Sequence, residues 1–263
     1  MPHIKNEDYL NVAVEAALAA SRIIMAALDK PRIAKYKGKA DLVTETDYLS
    51  EKMIKAIIRA SYPDHGLLAE ESEQESSQSD FLWIIDPLDG TTNFVHGYPC
   101  FAVSIGLFFQ NKPLIAVVLE MPNTKLYTAI KDEGAWGEGQ PISCSLTNSL
   151  EKSLLVTGFG YEHGERWERN MRLFQHFTDK TQGVRRLGAA AVDLCHVASG
   201  KVDGFWELDI KPWDTAAGIL IATESGCIVT HMNESDYSIY DNNILVANPK
   251  IHSEMIKEIK SVI

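Results

Sequence analysis

Paired cysteines and long hydrophobic segments are both scarce in this sequence. The four cysteines, Cys100, Cys144, Cys195 and Cys227, are widely spaced and form no C-x-x-C pair. They therefore indicate neither a disulfide framework nor a zinc site, and we expect buried free thiols. No apolar run approaches the ~20 residues of a membrane-spanning helix, and the first ten residues contain no apolar signal core. We expect a cytoplasmic protein without a membrane partner.

Basic residues are fewer than acidic ones. The chain has 25 Lys plus Arg against 36 Asp plus Glu, which gives a net charge of −11. A broad nucleic-acid interface needs clustered Lys and Arg, so we do not expect a nucleic-acid partner. A small anionic substrate is not excluded, because a bound metal ion reverses the sign of the field inside one cleft. The length of 263 residues suits one large domain or two tightly packed halves.

Hydrophobic periodicity predicts helices mixed with paired strands. Helices are predicted over residues 6–29, 165–178, 189–199, 212–225 and 251–263. A further helix is predicted to begin at the TETD segment, 44–47, and to be ended by residues 62–64. Strands are predicted over 66–69, 101–109, 113–121, 125–130, 154–157, 202–208 and 243–247, with a hairpin turn at 134–142. Met53 and Ile54 are expected on the apolar face of the second helix. This mixture indicates a layered α and β architecture.

The segment DPLDGTTNF, residues 86–94, follows an apolar run. Asp at the first position, Pro at the second and a nearby Gly are typical of a type I turn. The same residues suit a metal ion, because Asp86, Asp89 and the Leu88 carbonyl offer the oxygen ligands that Mg²⁺ prefers. Gly90 permits an unusual backbone angle, and the residues after it predict a helical turn whose N–H groups would suit a phosphate.

Further acidic residues also lie at the ends of predicted elements, and each has an ordinary structural explanation. Asp47 suits the last position of a capping box that begins at Thr44. Asp214 lies in the first turn of a predicted helix, where a carboxylate interacts favourably with the helix dipole. Glu70 and Glu71 suit a solvated charge run. A shared metal cleft is the alternative, since cations make several clustered carboxylates tolerable.

Taken in order along the chain, these clusters resemble the inositol monophosphatase family of Mg²⁺-dependent, lithium-sensitive sugar phosphatases. Two signatures are highly specific in combination, WIIDPLDGTTNFVHGYP (83–99) and WDTAAGILIATESG (213–226). Around them lie DLVTETD, AEES, LGAAAVDLCHVASGKVDGFWE and ILVAN, and the resemblance extends from about residue 8 to 260. Thr92-Asn93 is the continuation of the inositol type, whereas members acting on adenosine bisphosphates or histidinol phosphate tend to continue as D-G-T-K.

The resemblance implies one inositol monophosphatase-like domain over residues 1–263, an α/β (α+β) protein with the layered α-β-α-β-α sugar phosphatase fold. Its tightly packed halves would span about 1–148 and 149–263, with a boundary near 145–153. The family also suggests a homodimer, two or three Mg²⁺ ions and a small phosphorylated polyol as substrate. The expected reaction is hydrolysis of myo-inositol monophosphates and related polyol phosphates by a metal-activated water.

The resemblance also implies a set of metal ligands. Glu70, Asp86 and the Leu88 carbonyl are expected to hold the first ion. Asp86 would bridge to a second ion, which Asp89 and Asp214 complete. A weaker third ion would lie near Glu70, which is also expected to be catalytic.

Catalytic and substrate-binding roles follow from the same resemblance. Thr91, paired with Asp47, is expected to orient and activate the attacking water, and the amides of Gly90 and Thr91 to hold the phosphate. The alcohol part of the substrate is expected to contact Asp89, Gly188, Ala190, Glu207 and Asp214.

Two positions depart from the family pattern. Ala69 stands where many members have glycine, and Ala189 stands where some have Ser or Thr, but neither is an expected metal ligand. Two other functions remain open. One is a fructose-1,6-bisphosphatase or nucleotide-phosphate phosphatase of the same superfamily, and the other is a regulatory binding protein on this fold.

Overall fold

The structure of the protein, a computed structural model, describes residues 5–38, 42–75 and 77–263. Within these ranges the helices are α1 (Asn6–Leu28), α2 (Glu45–Ser61), α3 (Thr91–His96), α4 (Glu165–Lys180), α5 (Ala190–Ala198), α6 (Pro212–Glu224) and α7 (Pro249–Val262). The strands are β1 (Ala34–Tyr36), β2 (Leu42–Thr44), β3 (Gly66–Ala69), β4 (Phe81–Asp89), β5 (Phe101–Phe109), β6 (Lys112–Met121), β7 (Lys125–Ile130), β8 (Gly134–Gly137), β9 (Gln140–Pro141), β10 (Leu154–Thr157), β11 (Gly183–Arg185), β12 (Gly204–Leu208), β13 (Ile228–Thr230) and β14 (Asn243–Ala247).

The larger sheet is a mostly antiparallel meander with the strand order β3-β4-β5-β6-β7-β8-β9. β3 runs parallel to β4, and each later pair is antiparallel. Side chains alternate between the two faces of a strand, and here both faces are covered. Ile84 belongs to the core on one face and Ile85 to the core on the other, which is why β4 is apolar at consecutive positions.

The smaller sheet has the order β11-β10-β12-β14-β13. β10 runs parallel to both of its neighbours, and the remaining pairs are antiparallel. Its side chains alternate in the same way. Phe205 packs into the core that contains α5 and α6, whereas Trp206 packs into the core that contains α4 and α7.

Five layers result from these contacts. Helices α1 and α2 cover the outer face of the larger sheet, and α5 and α6 lie between the two sheets. Helices α4 and α7 cover the outer face of the smaller sheet. The predicted α-β-α-β-α architecture is therefore confirmed.

The middle helical layer joins the two sheets into one unit. Helix α6 follows the smaller sheet's first strands in the chain, yet it packs on strands of the larger sheet. The chain passes from one sheet to the other through residues 142–153. The division into halves at about residue 148 stays a prediction.

The structure corrects the turn predicted at residues 86–89. These residues belong to β4, and the register against β5 shifts between Asp86 and Asp89. A local irregularity inside a strand, rather than a chain reversal, therefore separates the two carboxylates. The helical turn predicted after Gly90 is confirmed as α3.

Two burial predictions also need correction. Met53, predicted on the buried face of α2, is 39% exposed, and Ile54 and Ile58 form that face. The four cysteines are free thiols as predicted, but Cys144 is only half-buried. The sequence does not predict the short strands β1, β2, β11 and β13, because three residues carry too little periodicity.

Helix α1 is the one helix of the described residues that is long and apolar enough to cross a membrane, with a mean hydropathy of 1.5 over its most apolar window. A core helix of a globular protein satisfies the same criterion. Residues of α1 such as Ala13, Ala17 and Ile24 are fully buried against α2 and the larger sheet. The packing therefore accounts for the apolar character of α1.

Replacing Gly218 by Ala is expected to destabilise the protein, because a Cβ at this α6 position would lie 2.4 Å from Leu194 Cδ1 and 2.7 Å from Leu194 Cβ. Overpacking of this kind costs ~1–3 kcal/mol, which exceeds the gain in helix propensity of up to ~1 kcal/mol. Urea unfolding measures the difference. The control Gly164→Ala, at the N-cap of α4, adds a Cβ with nothing within 4 Å, so it lacks the overpacking cost and should lose no more than ~1 kcal/mol through the less favourable capping residue. Equal stability of the two variants would contradict the close packing of α5 on α6.

Candidate active site

The connection between β4 and α3 is a single glycine in a crowded position. Gly90 has φ +86°, in the left-handed region that favours glycine. A Cβ at this position would lie 3.0 Å from the Cys100 carbonyl oxygen and 3.2 Å from the Ala189 Cβ. The backbone angle and the close approach both require glycine. The tight connection places Asp89, the last residue of β4, close to Thr91, the first residue of α3.

Asp47 combines a structural contact with a contact to the candidate site. Its Oδ2 accepts hydrogen bonds from the Thr44 amide at 2.9 Å and the Thr44 hydroxyl at 2.6 Å, which completes the predicted capping box of α2. Its Oδ1 accepts a hydrogen bond from the Thr91 hydroxyl at 2.8 Å. Burial raises the pKa of Asp47, while the hydrogen bonds from Thr44 and Thr91 oppose that rise. Helix capping and contact with Thr91 are compatible, because they use different oxygens.

Four of the carboxyl groups that line the cleft beside this pair belong to Glu70, Asp86, Asp89 and Asp214. Burial, followed by the charges of Glu70, Asp89 and Asp214, raises the pKa of Asp86 well above its usual range. Burial and the charges of Glu70 and Asp89 do the same for Asp214. Burial raises the pKa of Asp89 to about 7, although backbone N–H donors partly oppose it. The cleft therefore favours any cation that can neutralise these groups.

Asp89 also links the two sheets through the middle helical layer. Its Oδ1 and Oδ2 accept hydrogen bonds from the amides of Ala190 at 3.2 Å and Ala191 at 2.8 Å, in the first turn of α5. Helix N-terminal amides lack partners within the helix, so a carboxylate at this end is stabilising. The same carboxyl group thus positions α5 and faces the cleft.

Glu70 and Glu71 do not form a solvated charge run. The Lys37 ammonium contacts Glu70 Oε1 at 2.7 Å and Glu71 Oε1 at 2.8 Å, and the Glu71 side chain is only 1% exposed. Burial raises the pKa of Glu71 to about 7, against the opposing effect of Lys37. Lys37 directly follows β1 and lines the cleft. Sequence reasoning assigned this residue no role.

The donor chemistry of the cleft fits Mg²⁺. Glu70, Asp86, Asp89 and Asp214 supply carboxyl oxygens, and Leu88, with its backbone carbonyl as a further oxygen donor, lines the same cleft. Burial and the charges of neighbouring carboxyl groups raise the pKa values of Asp86, Asp89 and Asp214. Within the described residues, no three Asp, Glu, His or Cys side chains are already converged on one point. The fit therefore rests on the type and proximity of the donors, not on a finished coordination shell.

The other end of the cleft suits an alcohol. The cleft has a volume of about 860 Å³, and Gly188, Ala190 and Glu207 line this end. Glu207 is 9% exposed, and its carboxyl oxygens pack against Gly158, where a Cβ would lie 2.2 Å from Oε2. The glycine therefore leaves room for the carboxyl group to reach the cleft, where it can accept hydrogen bonds from hydroxyl groups.

Asn93 joins the two ends of the cleft. Its Nδ2 donates to the Cys100 carbonyl at 2.7 Å and to the Leu187 carbonyl at 2.8 Å. It also lies 3.4 Å from the Gly188 carbonyl. One amide side chain on α3 thus holds the backbone before α5. Sequence reasoning used Asn93 only to classify the signature, since the distant carbonyl acceptors cannot be read from the chain.

The structure brings the predicted site residues together. Those that line the cleft are Glu70, Asp86, Leu88, Asp89, Gly90, Thr91, Gly188, Ala190, Glu207 and Asp214. Asp47 lies beneath them and reaches the cleft through Thr91. Asp214 lies in the first turn of α6, as predicted, and accepts a hydrogen bond from the Lys211 amide at 2.7 Å. The chemical roles of these residues stay predictions.

Comparison with known proteins identifies the family. The sequence profile described as the inositol monophosphatase family matches residues 5–263. The chain belongs to this family. It is 46% identical over 251 residues to the inositol-1-monophosphatase of Synechocystis sp., covering 95% of this chain and 88% of that protein. It is 47% identical over 257 residues to the phosphatase IMPL1, chloroplastic, of Arabidopsis thaliana, covering 95% and 69%.

A solved structure shares the fold of this inositol monophosphatase family member. The crystal structure of the extragenic suppressor protein suhB from Bartonella henselae superposes with a TM-score of 0.93 at 35% identity. The match covers 97% of this chain and 100% of that chain. Family membership supports a phosphatase of this superfamily.

Replacing Asn93 by Ala is expected to weaken substrate binding, because the backbone before α5 loses its attachment to α3. Loss of two hydrogen bonds to buried carbonyl groups is expected to cost ~1–3 kcal/mol of stability. We expect KM for a phosphate ester to rise several-fold, which steady-state kinetics and urea unfolding would measure. Thr92→Ala, in the same helical turn, is the matched control and should change neither value appreciably. An unchanged KM in Asn93→Ala would contradict the positioning role.

Proposed function

We propose that the protein is a Mg²⁺-dependent phosphomonoesterase that hydrolyses inositol monophosphates and related polyol phosphates to the alcohol and inorganic phosphate. The observation that carries this proposal is the 2.8 Å hydrogen bond from Thr91 to the buried Asp47, beside a cleft lined by Glu70, Asp86, Asp89 and Asp214 among other residues. A hydroxyl–carboxylate pair can accept a proton from water, and the carboxyl groups can bind hard cations.

The ions would be held by oxygen ligands that already face the cleft. Glu70, Asp86 and the Leu88 carbonyl would hold one Mg²⁺. Asp86, Asp89 and Asp214 would hold a second, and a third would lie near Glu70. When bound, Mg²⁺ lowers the pKa of water and neutralises charge on a phosphoryl group and its leaving oxygen.

Thr91 and Asp47 would orient the attacking water and accept its proton. Because the Thr91 hydroxyl donates its hydrogen toward Asp47, the lone pairs of its oxygen remain available to accept a hydrogen bond from water. Asp47 is fully buried and held by Thr44, so it fixes the direction in which the Thr91 hydroxyl points. The expected benefit is orientation of the water and uptake of its proton.

The rest of the cleft would bind the substrate. The amides of Gly90 and Thr91 would hold the phosphate, since amides at a helix start are unsatisfied donors. Hydroxyl groups of the polyol would contact Asp89, Gly188, Ala190, Glu207 and Asp214. A homodimer, inhibition by lithium and a cytoplasmic location are implied by the family resemblance and belong to the same proposal.

Release of inorganic phosphate from inositol 1-phosphate is expected to require Mg²⁺, to stop on addition of EDTA and to decrease with Li⁺. Mg²⁺ is also expected to raise the melting temperature, because an ion that binds only the folded protein stabilises it. A panel with fructose 1,6-bisphosphate and an adenosine bisphosphate ranks the substrates by kcat/KM. The proposal fails if no ester of the panel yields phosphate in a metal-dependent way.

Replacing Thr91 by Ala is expected to lower kcat by a factor of ~10²–10⁴, the usual contribution of a proton acceptor. Thr91→Ser keeps the hydroxyl and is the matched control, with a loss of less than ~10-fold on the same reasoning. Steady-state phosphate release measures both, and a thermal melt confirms that each variant is folded. Similar losses in the two variants would show that the methyl group, not the hydroxyl, matters.

A further inference from the structure

Asp193, on α5, is a buried carboxyl group to which no role has been assigned. Its side chain is 1% exposed and lines the cleft. Neither of its oxygens receives a hydrogen bond from any residue within 5–38, 42–75 or 77–263. Asp47, Asp86 and Asp89, in contrast, each accept at least one. A buried acceptor without a donor is costly, so Asp193 calls for a compensating contact.

Arg186 is the cation that acts electrostatically on Asp193. Burial, then Glu207 and Asp89, raises the pKa of Asp193, whereas Arg186 lowers it. The same cation acts on the neighbouring acid, because burial, Asp214 and Asp89 raise the pKa of Glu207 and Arg186 lowers it. One guanidinium group is therefore shared electrostatically by two buried carboxyl groups.

Arg186 is available to a ligand, whereas the other cations of the cleft are engaged. Arg166 contacts Asp209 at 3.0 Å, and Lys211 lies 4.0 Å from the same carboxyl group. Lys37 is paired with two glutamates. Arg186 is exposed and makes no hydrogen bond or ion pair among the residues that the structure describes, although it lines the cleft. Its five N–H donors are thus free to reach toward a substrate.

The backbone beside Arg186 is held in place. The next two residues, Leu187 and Gly188, direct their carbonyl groups at the Asn93 side chain. Gly188 has φ +85°, which fixes the turn into α5. The backbone from which the Arg186 side chain extends is therefore held in a fixed position relative to α3 and the phosphate end of the cleft. Only the long side chain needs to move to cover a bound alcohol.

We propose that Arg186 is a specificity-determining residue whose guanidinium donates hydrogen bonds to hydroxyl oxygens of the bound alcohol, while the Glu207 carboxyl group in the same cleft accepts from a hydroxyl. Asp193 is the positioning residue that draws the guanidinium over the cleft. A donor and an acceptor that line the same cleft match two neighbouring hydroxyl groups, because a hydroxyl both donates and accepts. The substrate class is a phosphate ester whose alcohol carries a vicinal pair of hydroxyls. This inference rests on the proposed function.

The first test compares Arg186→Ala with Arg185→Ala in the full chain with Mg²⁺. Arg185 is exposed, carries the same charge and does not line the cleft, so it controls for net charge. For inositol 1-phosphate we expect Arg186→Ala to raise KM about tenfold with kcat within about twofold, because charge-assisted hydrogen bonds to the ground state are lost. With phenyl phosphate, which has no hydroxyl groups, the rise should be several times smaller. Arg186→Lys should recover part of the loss, because Lys keeps a charged donor.

The second test examines the role of Asp193. Asp193→Asn removes the ionisable carboxyl group and keeps the shape, and it is expected to raise KM for inositol 1-phosphate several-fold. In the Arg186→Ala background the same change should have little further effect, since residues that act through one another are not additive. A thermal melt confirms folding. A residue that only fills space would change the melting temperature and leave KM unaltered.

Several outcomes would overturn the inference. They are an unchanged KM in Arg186→Ala, a rise no larger than that of Arg185→Ala, an equal rise with phenyl phosphate, or additive effects of the two substitutions. If the parent protein hydrolyses inositol 1-phosphate and any of these is observed, the inference fails and the proposed function stands. If the parent protein hydrolyses phenyl phosphate but no polyol phosphate, the proposed function fails and this inference fails with it.

Discussion

Several carboxyl groups are buried within one cleft, and the rest of this structure depends on how their charge is tolerated. Asp86, Asp89 and Asp214 each have a raised pKa because burial and mutual repulsion disfavour the charged form. The protein compensates with the amides of α5 and with Lys37 beside Glu70. This compensation is partial, which leaves a site that a hard cation would stabilise. The fold contributes stability elsewhere, in three apolar cores, and holds the charged groups at the point where its elements converge.

Two side chains attach the site residues of the larger sheet and α3 to the middle helical layer. Asp89 comes from the larger sheet and binds the first turn of α5, and Asn93 binds the backbone that leads into α5. The phosphate end and the alcohol end of the cleft are therefore held in one arrangement. In the proposed reaction, such a fixed arrangement would place the ester bond between the cations and the groups that recognise the alcohol. The middle helical layer is thus part of the site as well as of the core.

The ordinary structural explanations of the acidic residues are correct for two of them, and they do not compete with a role in the cleft. Asp47 completes a capping box with one oxygen and contacts Thr91 with the other. Asp214 stands in the first turn of α6 and also lines the cleft. Helix starts supply unsatisfied amides that fix a carboxyl group in one orientation. Local structure therefore orients the groups that the cleft brings together.

The sequence by itself determined the long helices and strands, the layered architecture and the candidate metal-ligating residues Glu70, Asp86, Asp89 and Asp214. Hydrophobic periodicity and the two signatures are properties of residues that are close together in the sequence, so they can be recognised without the tertiary structure. The tertiary structure alone decided that residues 86–89 continue a strand, that Met53 is exposed and that Lys37, Asn93, Asp193 and Arg186 belong to the site. These facts depend on partners from distant segments, such as Asn93 with Leu187 or Asp193 with Glu207. Burial and electrostatic contact act through space, so no pattern of neighbouring residues can specify them.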